Sequence, residues 1–304
     1  MSLCPPYIVV IGATGSGKSK LAMDLARILP GEIIGCDSIQ LYKGVDIGSA
    51  KPSLGDREEV PHHLVDVLDP HESYDAWLYR TEARRIVKEV YSRGNIPIVV
   101  GGTGLYLRAL IGDSFQPLPG DAKLKEEISR EETPELYKKL QQLNPTRATE
   151  LHPHDRYRII RALEIFYLQE TRSQNQQTVE EEDIWSPLFT IMLDPPRNKL
   201  HSQIAARTKA LLEQGLIEET QALLKKGVSP TSKVLQSIGY KQVVMMENGE
   251  IPLDNLSQKI TEATRQYAKR QLTWFKKNQV DHRIHGSYNT NELASIIKTK
   301  LSRL

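Results

Sequence analysis

The most constraining feature of the chain is Gly12-Ala-Thr-Gly-Ser-Gly-Lys-Ser19, which fits G-x-x-x-x-G-K-[ST] in full. It follows the apolar run 7–11 and opens the helix-compatible stretch 18–29. In a strand, glycine loop, helix context, backbone N–H groups can close around a phosphate at a helix N-terminus, where the dipole favours an anion. Gly12, Ala13, Thr14, Gly15, Ser16, Gly17, Lys18 and Ser19 are therefore candidate phosphate ligands. Lys18 is expected to reach the outer phosphate, and the Ser19 hydroxyl to ligate Mg2+. The loop signals a bound di- or triphosphate and leaves open what happens to it.

The rest of the first hundred residues extends this pattern. Short β-branched runs at 32–36 and 97–100 alternate with helix-length segments such as Ala76–Ser92, and 188–193 reads as one more strand far downstream. Runs apolar throughout and separated by helices predict a parallel sheet covered on both faces. The expected fold class is α/β: a P-loop NTPase-like parallel sheet core flanked by helices, interrupted by a helical insertion. Phe115-Gln-Pro-Leu-Pro-Gly120 is a linker signature, helices are expected over 122–130, 135–143 and 154–169, and 169–183 reads as a polar loop ending in Glu180-Glu-Glu-Asp183. The predicted domains are thus a core over 1–114 and 187–304 and an insertion over 115–186. Amphipathic helices are expected over 197–226, 256–278 and 291–302.

Composition narrows the function classes. The longest clean apolar runs are about five residues where a bilayer span needs about 20, so no membrane association is expected. No charged n-region precedes the first apolar run, and the reading is a cytoplasmic protein. Two cysteines, Cys4 and Cys36, suffice for neither a disulfide framework nor a four-ligand zinc site. The net charge of +2 hides a split: residues 1–196 carry 22 basic and 29 acidic residues, and 197–304 carry 18 and 9. A basic final third suits a polyanionic partner, and equally a lysine-rich solvated surface.

The second strand ends in Gly35-Cys-Asp-Ser-Ile-Gln-Leu-Tyr42, which puts Asp37 beside the phosphate loop in the usual ligand crevice of such sheets. A carboxylate there can accept a proton from an attacking group or ligate metal through water; local sequence suits a helix N-cap as well. A second glycine turn, Val100-Gly-Gly-Thr-Gly-Leu-Tyr106, sets the Thr103 hydroxyl on the same rim. There is no clear arginine-rich lid or kinase base motif. His62 and His63 are adjacent, so they point to different sides of an element and suit structural or substrate-shaping roles better than a metal site.

These stretches together resemble the tRNA dimethylallyltransferases (tRNA isopentenyltransferases). The resemblance rests on Gly12 to Ser19, Asp37-Ser-Ile-Gln-Leu-Tyr42, Asp46-Ile-Gly-Ser-Ala-Lys-Pro52, Val60-Pro-His-His-Leu-Val-Asp66 and Gly101-Gly-Thr-Gly-Leu-Tyr106. It continues through His152-Pro-His-Asp-Arg-Tyr-Arg-Ile-Ile-Arg-Ala-Leu-Glu164, Gly215-Leu-Ile-Glu-Glu219, Ile238-Gly-Tyr-Lys241 and Tyr267-Ala-Lys-Arg-Gln-Leu-Thr-Trp274. The blocks are collinear from residue 12 to about 276. His154 stands where the family usually has Asn, and Ser19 and Ser49 where Thr is common; none of these removes a group the chemistry requires. The family's eukaryotic zinc finger is absent, which suggests the bacterial type.

The resemblance implies transfer of a dimethylallyl group from its diphosphate to N6 of the adenosine immediately 3′ of the anticodon (tRNA position 37), in tRNAs reading codons that begin with U. The implied partners are tRNA, through its anticodon stem-loop, and dimethylallyl diphosphate; no obligate protein partner is evident, and a monomer is the default. Asp37 would take the N6 proton and Thr103 would line the reaction channel. Arg207 would contact the diphosphate beside the glycine loop. Ser38, Ile39 and Gln40 would continue the contact to the anticodon loop, and Tyr157, Arg158, Ile159, Ile160 and Arg161 would meet RNA from the insertion. Along 260–277, Arg265, Lys269 and Lys276 form a basic stripe suited to RNA backbone, opposite an apolar stripe of Ile260, Ala263, Tyr267 and Trp274 expected to pack in the core. The weighed alternatives are prenyl transfer to a free adenine nucleotide, a P-loop nucleoside-type kinase, and a non-catalytic RNA-binding GTPase or ATPase.

Overall fold

The computed structural model describes residues 4–112, 118, 120–174, 185–276 and 278–303. The chain runs β1 (Ile8–Gly12), α1 (Lys18–Ile28), β2 (Gly31–Cys36), α2 (Leu54–Glu59), β3 (His62–His63), α3 (Ala76–Ser92), β4 (Ile96–Gly101) and α4 (Gly104–Ile111). There follow α5 (Ala122–Ile128), α6 (Thr133–Leu143), α7 (Pro145–Thr149) and α8 (Arg156–Gln174). The remainder is β5 (Phe189–Leu193), α9 (Arg197–Glu213), α10 (Leu216–Lys225), α11 (Tyr240–Glu247), α12 (Leu253–Phe275), β6 (His282–Ile284) and α13 (Thr290–Leu301). It divides into two compact units, one of Met1–Tyr74, Tyr79–Asp113 and Ile184–Leu304, the other of Asp75–Leu78 and Ser114–Asp183.

In the first unit the described strands form one parallel sheet in the order β3-β2-β4-β1-β5-β6. All five residues of β1 and of β5 are buried, as expected of strands covered on both faces. The far-downstream strand completes the centre of this sheet: Phe189 to Leu193 pair in register with Ile8 to Gly12. One apolar layer joins Ile8 and Val10 to Leu21 and Leu25 of α1 and to Leu293 and Ile297 of α13. The segment expected as one helix over 197–226 is two, α9 and α10, because Gly215 adopts φ +103° between them. Two edge strands, β3 and β6, are only two and three residues long, and their pattern is too short to read in advance.

The second unit has its own core, in which Leu136 and Leu140 of α6 pack with Ile159, Ile160 and Leu163 of α8. Glu164, 2% exposed, is paired with Arg161 at 2.7 Å and accepts the Asp121 N–H at 2.7 Å. The linker over 115–120 and the acidic run 180–183 lie largely outside the described residues.

At the N-terminal end of the sheet, Glu32 is 4% exposed. It accepts hydrogen bonds from Arg93 at 2.7 Å, Asn95 at 2.7 Å and His63 at 2.6 Å. Burial pushes its carboxyl up, but these donors outweigh it and hold it down at about 2. A depressed carboxyl pKa contributes stability that is complete above the unfolded value and lost as pH falls through the folded one. Glu32→Gln should therefore lower stability by about 2 kcal/mol at pH 7 in denaturant titrations, since the lost acceptor serves a guanidinium. That deficit should shrink as pH falls from about 4.5 towards 2, where the wild-type carboxylate is itself protonated.

Candidate active site

The site forms where β1, β2 and β4 end on the same edge of the sheet, the crevice in which parallel sheets hold ligands. Gly17 caps α1 with φ +92°, a left-handed conformation that an L side chain resists, so the loop can turn its amides inward. The Ser16 N–H bonds to the Ala13 carbonyl at 3.1 Å, and the Thr14 N–H donates to Gln271 Oε1 at 2.8 Å. Those two amides are therefore engaged within the protein. Gly15, Gly17, Lys18 and Ser19 keep amides without a hydrogen-bonded protein acceptor among the described residues. Gly12 and Ala13 are buried and shape the loop. The Ser16 hydroxyl is buried without a partner among the described residues, as a polar atom awaiting a ligand would be.

A cavity of about 500 Å³ opens from this loop and is lined by Lys18, Ser19, Asp37, Gln40, Arg207 and Tyr267, among others. Burial, and then the neighbouring Arg207, lower the Lys18 ammonium to about 8, while Asp37 pulls the other way. Arg207 is likewise lowered by burial and supported by Asp37. Two half-buried cations thus lie close enough for Arg207 to weaken the hold of Lys18 on its proton, an arrangement that a phosphate group would relieve. Tyr267 is raised to about 12 by burial and by Asp37, and the Cys36 thiol to about 12 by burial, so both present neutral groups beside the carboxylate at neutral pH.

Asp37 Oδ1 accepts the Ile39 and Gln40 N–H groups at 2.9 and 3.4 Å. The Thr103 hydroxyl accepts the Ser38 N–H at 3.2 Å, and the Thr103 N–H donates to the Cys36 carbonyl at 3.2 Å. Thr103 is not among the residues lining the cavity and instead fixes the loop that presents Asp37. The Gln40 amide is directed to the carbonyls of Ser49 and Ala50, at 3.1 and 3.2 Å, which leaves its Oε1 for other contacts. Gln271, 6% exposed, carries no local sequence signal for a role at the site. It joins the Thr14 N–H to the Gly102 carbonyl at 2.9 Å and so ties the two glycine turns together. Tyr267 and Trp274 depart from the expected core stripe: Tyr267 lines the cavity, and Trp274 is 40% exposed against Gly104.

No group of three or more His, Cys, Asp or Glu side chains suited to a metal occurs among the described residues. The donor set at the loop, the Ser19 hydroxyl at the cavity wall, fits Mg2+, which keeps water and substrate phosphate oxygens as its main ligands. His63 meets Glu32, and His62 lies at the cavity wall with its Nδ1 2.7 Å from the Val60 carbonyl.

Within the helical unit, Tyr157 is 72% exposed and the Arg158 side chain 65%. Ile159 and Ile160 are 0% and 7% exposed in that unit's core, which corrects their assignment as RNA contacts: apolar burial takes their side chains. Arg161 donates to the Leu118 carbonyl and pairs with Glu164, so it braces the unit.

Comparison with known proteins agrees with this geometry. The family model described as IPP transferase matches residues 40–278. A tRNA dimethylallyltransferase of Pelotomaculum thermopropionicum is 40% identical, over 90% of this chain and 88% of its own. One of Citrifermentans bemidjiense is 43% identical, over 89% of each. Among solved structures, a tRNA delta(2)-isopentenylpyrophosphate transferase from Staphylococcus epidermidis superposes with TM-score 0.68 at 32% identity, covering 98% and 99% of the two chains. A eukaryotic dimethylallyltransferase captured acting on tRNA gives 0.82 at 27% identity, covering 98% and 80%. By that family match and by relatives sharing two residues in five along most of its length, the chain belongs to the IPP transferase family of tRNA dimethylallyltransferases.

Proposed function

We propose that this protein transfers the dimethylallyl group from dimethylallyl diphosphate to N6 of the tRNA adenosine immediately 3′ of the anticodon. The observation that carries the chemistry is the cavity that opens from the glycine loop and gathers Lys18, Arg207 and the carboxylate of Asp37 in its wall. When the allylic C–O bond breaks, its electron pair leaves on the diphosphate oxygen, and the two cations and the open amides at Gly15 and Gly17 to Ser19 meet the charge that develops there. N6 forms the new bond to the allyl carbon and gives up a proton, for which Asp37 is the acceptor at the cavity wall. Mg2+ on the Ser19 hydroxyl would supply further charge to the leaving group. Thr103 acts on the acceptor side by holding Ser38.

The tRNA loop must deliver its base out of the stack, as base-modifying enzymes require. Tyr157 and Arg158 of the helical unit, exposed and adjacent, supply an aromatic face and a guanidinium for an unstacked loop. Lys269 of α12 and Lys276, which caps its C-terminus, are exposed and suit backbone phosphate. No helix among the described residues is long and apolar enough to cross a membrane, and a tRNA substrate suits the cytoplasm. The relatives reported above are named as transferases acting on tRNA, so the kinase and free-nucleotide readings lose their ground.

Labelled dimethylallyl diphosphate, incubated with the protein, Mg2+ and either unmodified tRNA or AMP, should label tRNA alone. Label confined to AMP, or phosphate moving from ATP instead, overturns the reading. Donor affinity should also depend on pH in one direction. The Lys18 ammonium, lowered to about 8 in the free protein, is needed for the anion, so affinity should fall as pH rises through about 8. Calorimetry near that pH should show proton uptake on donor binding; binding without uptake would contradict the charge assignment.

A further inference from the structure

One carboxylate set back from the cavity carries four hydrogen bonds. Glu219, in the first turn of α10, accepts the Asp46 and Ile47 N–H groups on Oε2 at 2.9 and 2.8 Å. Its Oε1 accepts the Gly48 N–H at 3.0 Å and the Tyr240 hydroxyl at 2.5 Å. Three successive amides turned to one carboxylate form a concave anion site, here filled from within the protein. Gly48 fits it closely: a Cβ there would stand 2.3 Å from the Tyr240 ring. On the loop's other side, Lys51, its side chain 1% exposed, donates to the Tyr42 carbonyl at 2.8 Å and to the carboxylates of Asp46 and Asp66. Ala50 is held at φ +46°, a conformation that costs an L residue on the order of 1 kcal/mol and persists only when neighbours impose it.

What this clamped loop holds is the site. The Ser49 and Ala50 carbonyls accept the two Gln40 amide hydrogen bonds, and the Gln40 N–H runs to Asp37 Oδ1. The path from Tyr240 and Glu219 through residues 46–50 and Gln40 to the carboxylate is unbroken, and none of it touches the phosphate loop. We propose that Glu219 and Tyr240 are positioning residues for the transfer step, fixing the proton-accepting carboxylate of Asp37 through the 46–50 loop and Gln40; this rests on the function proposed above.

Glu219→Gln keeps the side chain's shape and loses one acceptor edge, while Tyr240→Phe keeps the ring over Gly48 and removes only the hydroxyl donor. Single-turnover transfer to tRNA at saturating enzyme is the informative readout, because its rate constant does not depend on the folded fraction. Glu219→Gln should slow that rate about tenfold or more, since displacement of a reacting group by a fraction of an ångström is costly. Tyr240→Phe should slow it about threefold. Equilibrium affinity for dimethylallyl diphosphate should stay within about twofold in both, as the phosphate loop is untouched. Saturating rates equal to wild type in both variants, whatever their thermal stability, overturn the positioning role. So does a loss confined to donor affinity. Failure of the wild-type protein to transfer at all would instead remove the function on which the role rests.

Discussion

Two half-buried cations gathered near the carboxylate of Asp37 organise the site of this protein. Lys18 and Arg207 come from the N-terminus of α1 and from α9, distant in sequence, and Asp37 from the end of β2. Bringing these charges into one partly desolvated cavity lowers the affinity of both bases for their protons. The sheet bears this cost because its strands are buried on both faces and rigidly in register, so their C-terminal ends cannot drift apart. An anion bound there would relieve the arrangement, as the proposed diphosphate donor requires.

On the proposed function the glycine loop has an unusual use: where a kinase loop holds the group that moves, this one would hold the group that stays behind. The engagement of Thr14 by Gln271 bears on this. It gives up one amide of the loop to fasten the loop to Gly102, and through that turn to Thr103 and the strand carrying Asp37. The two glycine turns and the loop carrying Asp37 are thereby locked in one frame, which the proposed transfer between two bound reactants would need. Glu219 and Tyr240 extend the same frame outward on the acceptor side.

Much of this was legible in the residues. The glycine loop, the β-branched runs and Asp37 after the second of them carry strong local signals, and the helical insertion announces itself by composition. What escaped has physical reasons. The edge strands at His62–His63 and His282–Ile284 have too few residues for a period to show. The break between α9 and α10 depends on one glycine at positive φ inside a helical pattern. Ile159 and Ile160 lie in a block that resembles an RNA contact, yet the 3.6-residue helical period sets these two with Leu163 on the inward face and leaves Tyr157 and Arg158 outside. Gln271, Glu219 and Tyr240 act through groups remote in sequence, and no spacing rule within one segment encodes such partners.

The central claim is that Asp37 receives the proton while the phosphate loop independently holds the leaving group. Asp37→Ala tests it most directly, with single-turnover transfer and equilibrium binding measured on the same preparation. The account predicts a fall in transfer of about 10²- to 10⁴-fold, with affinity for tRNA and for dimethylallyl diphosphate largely kept. Transfer within a few-fold of wild type would contradict it.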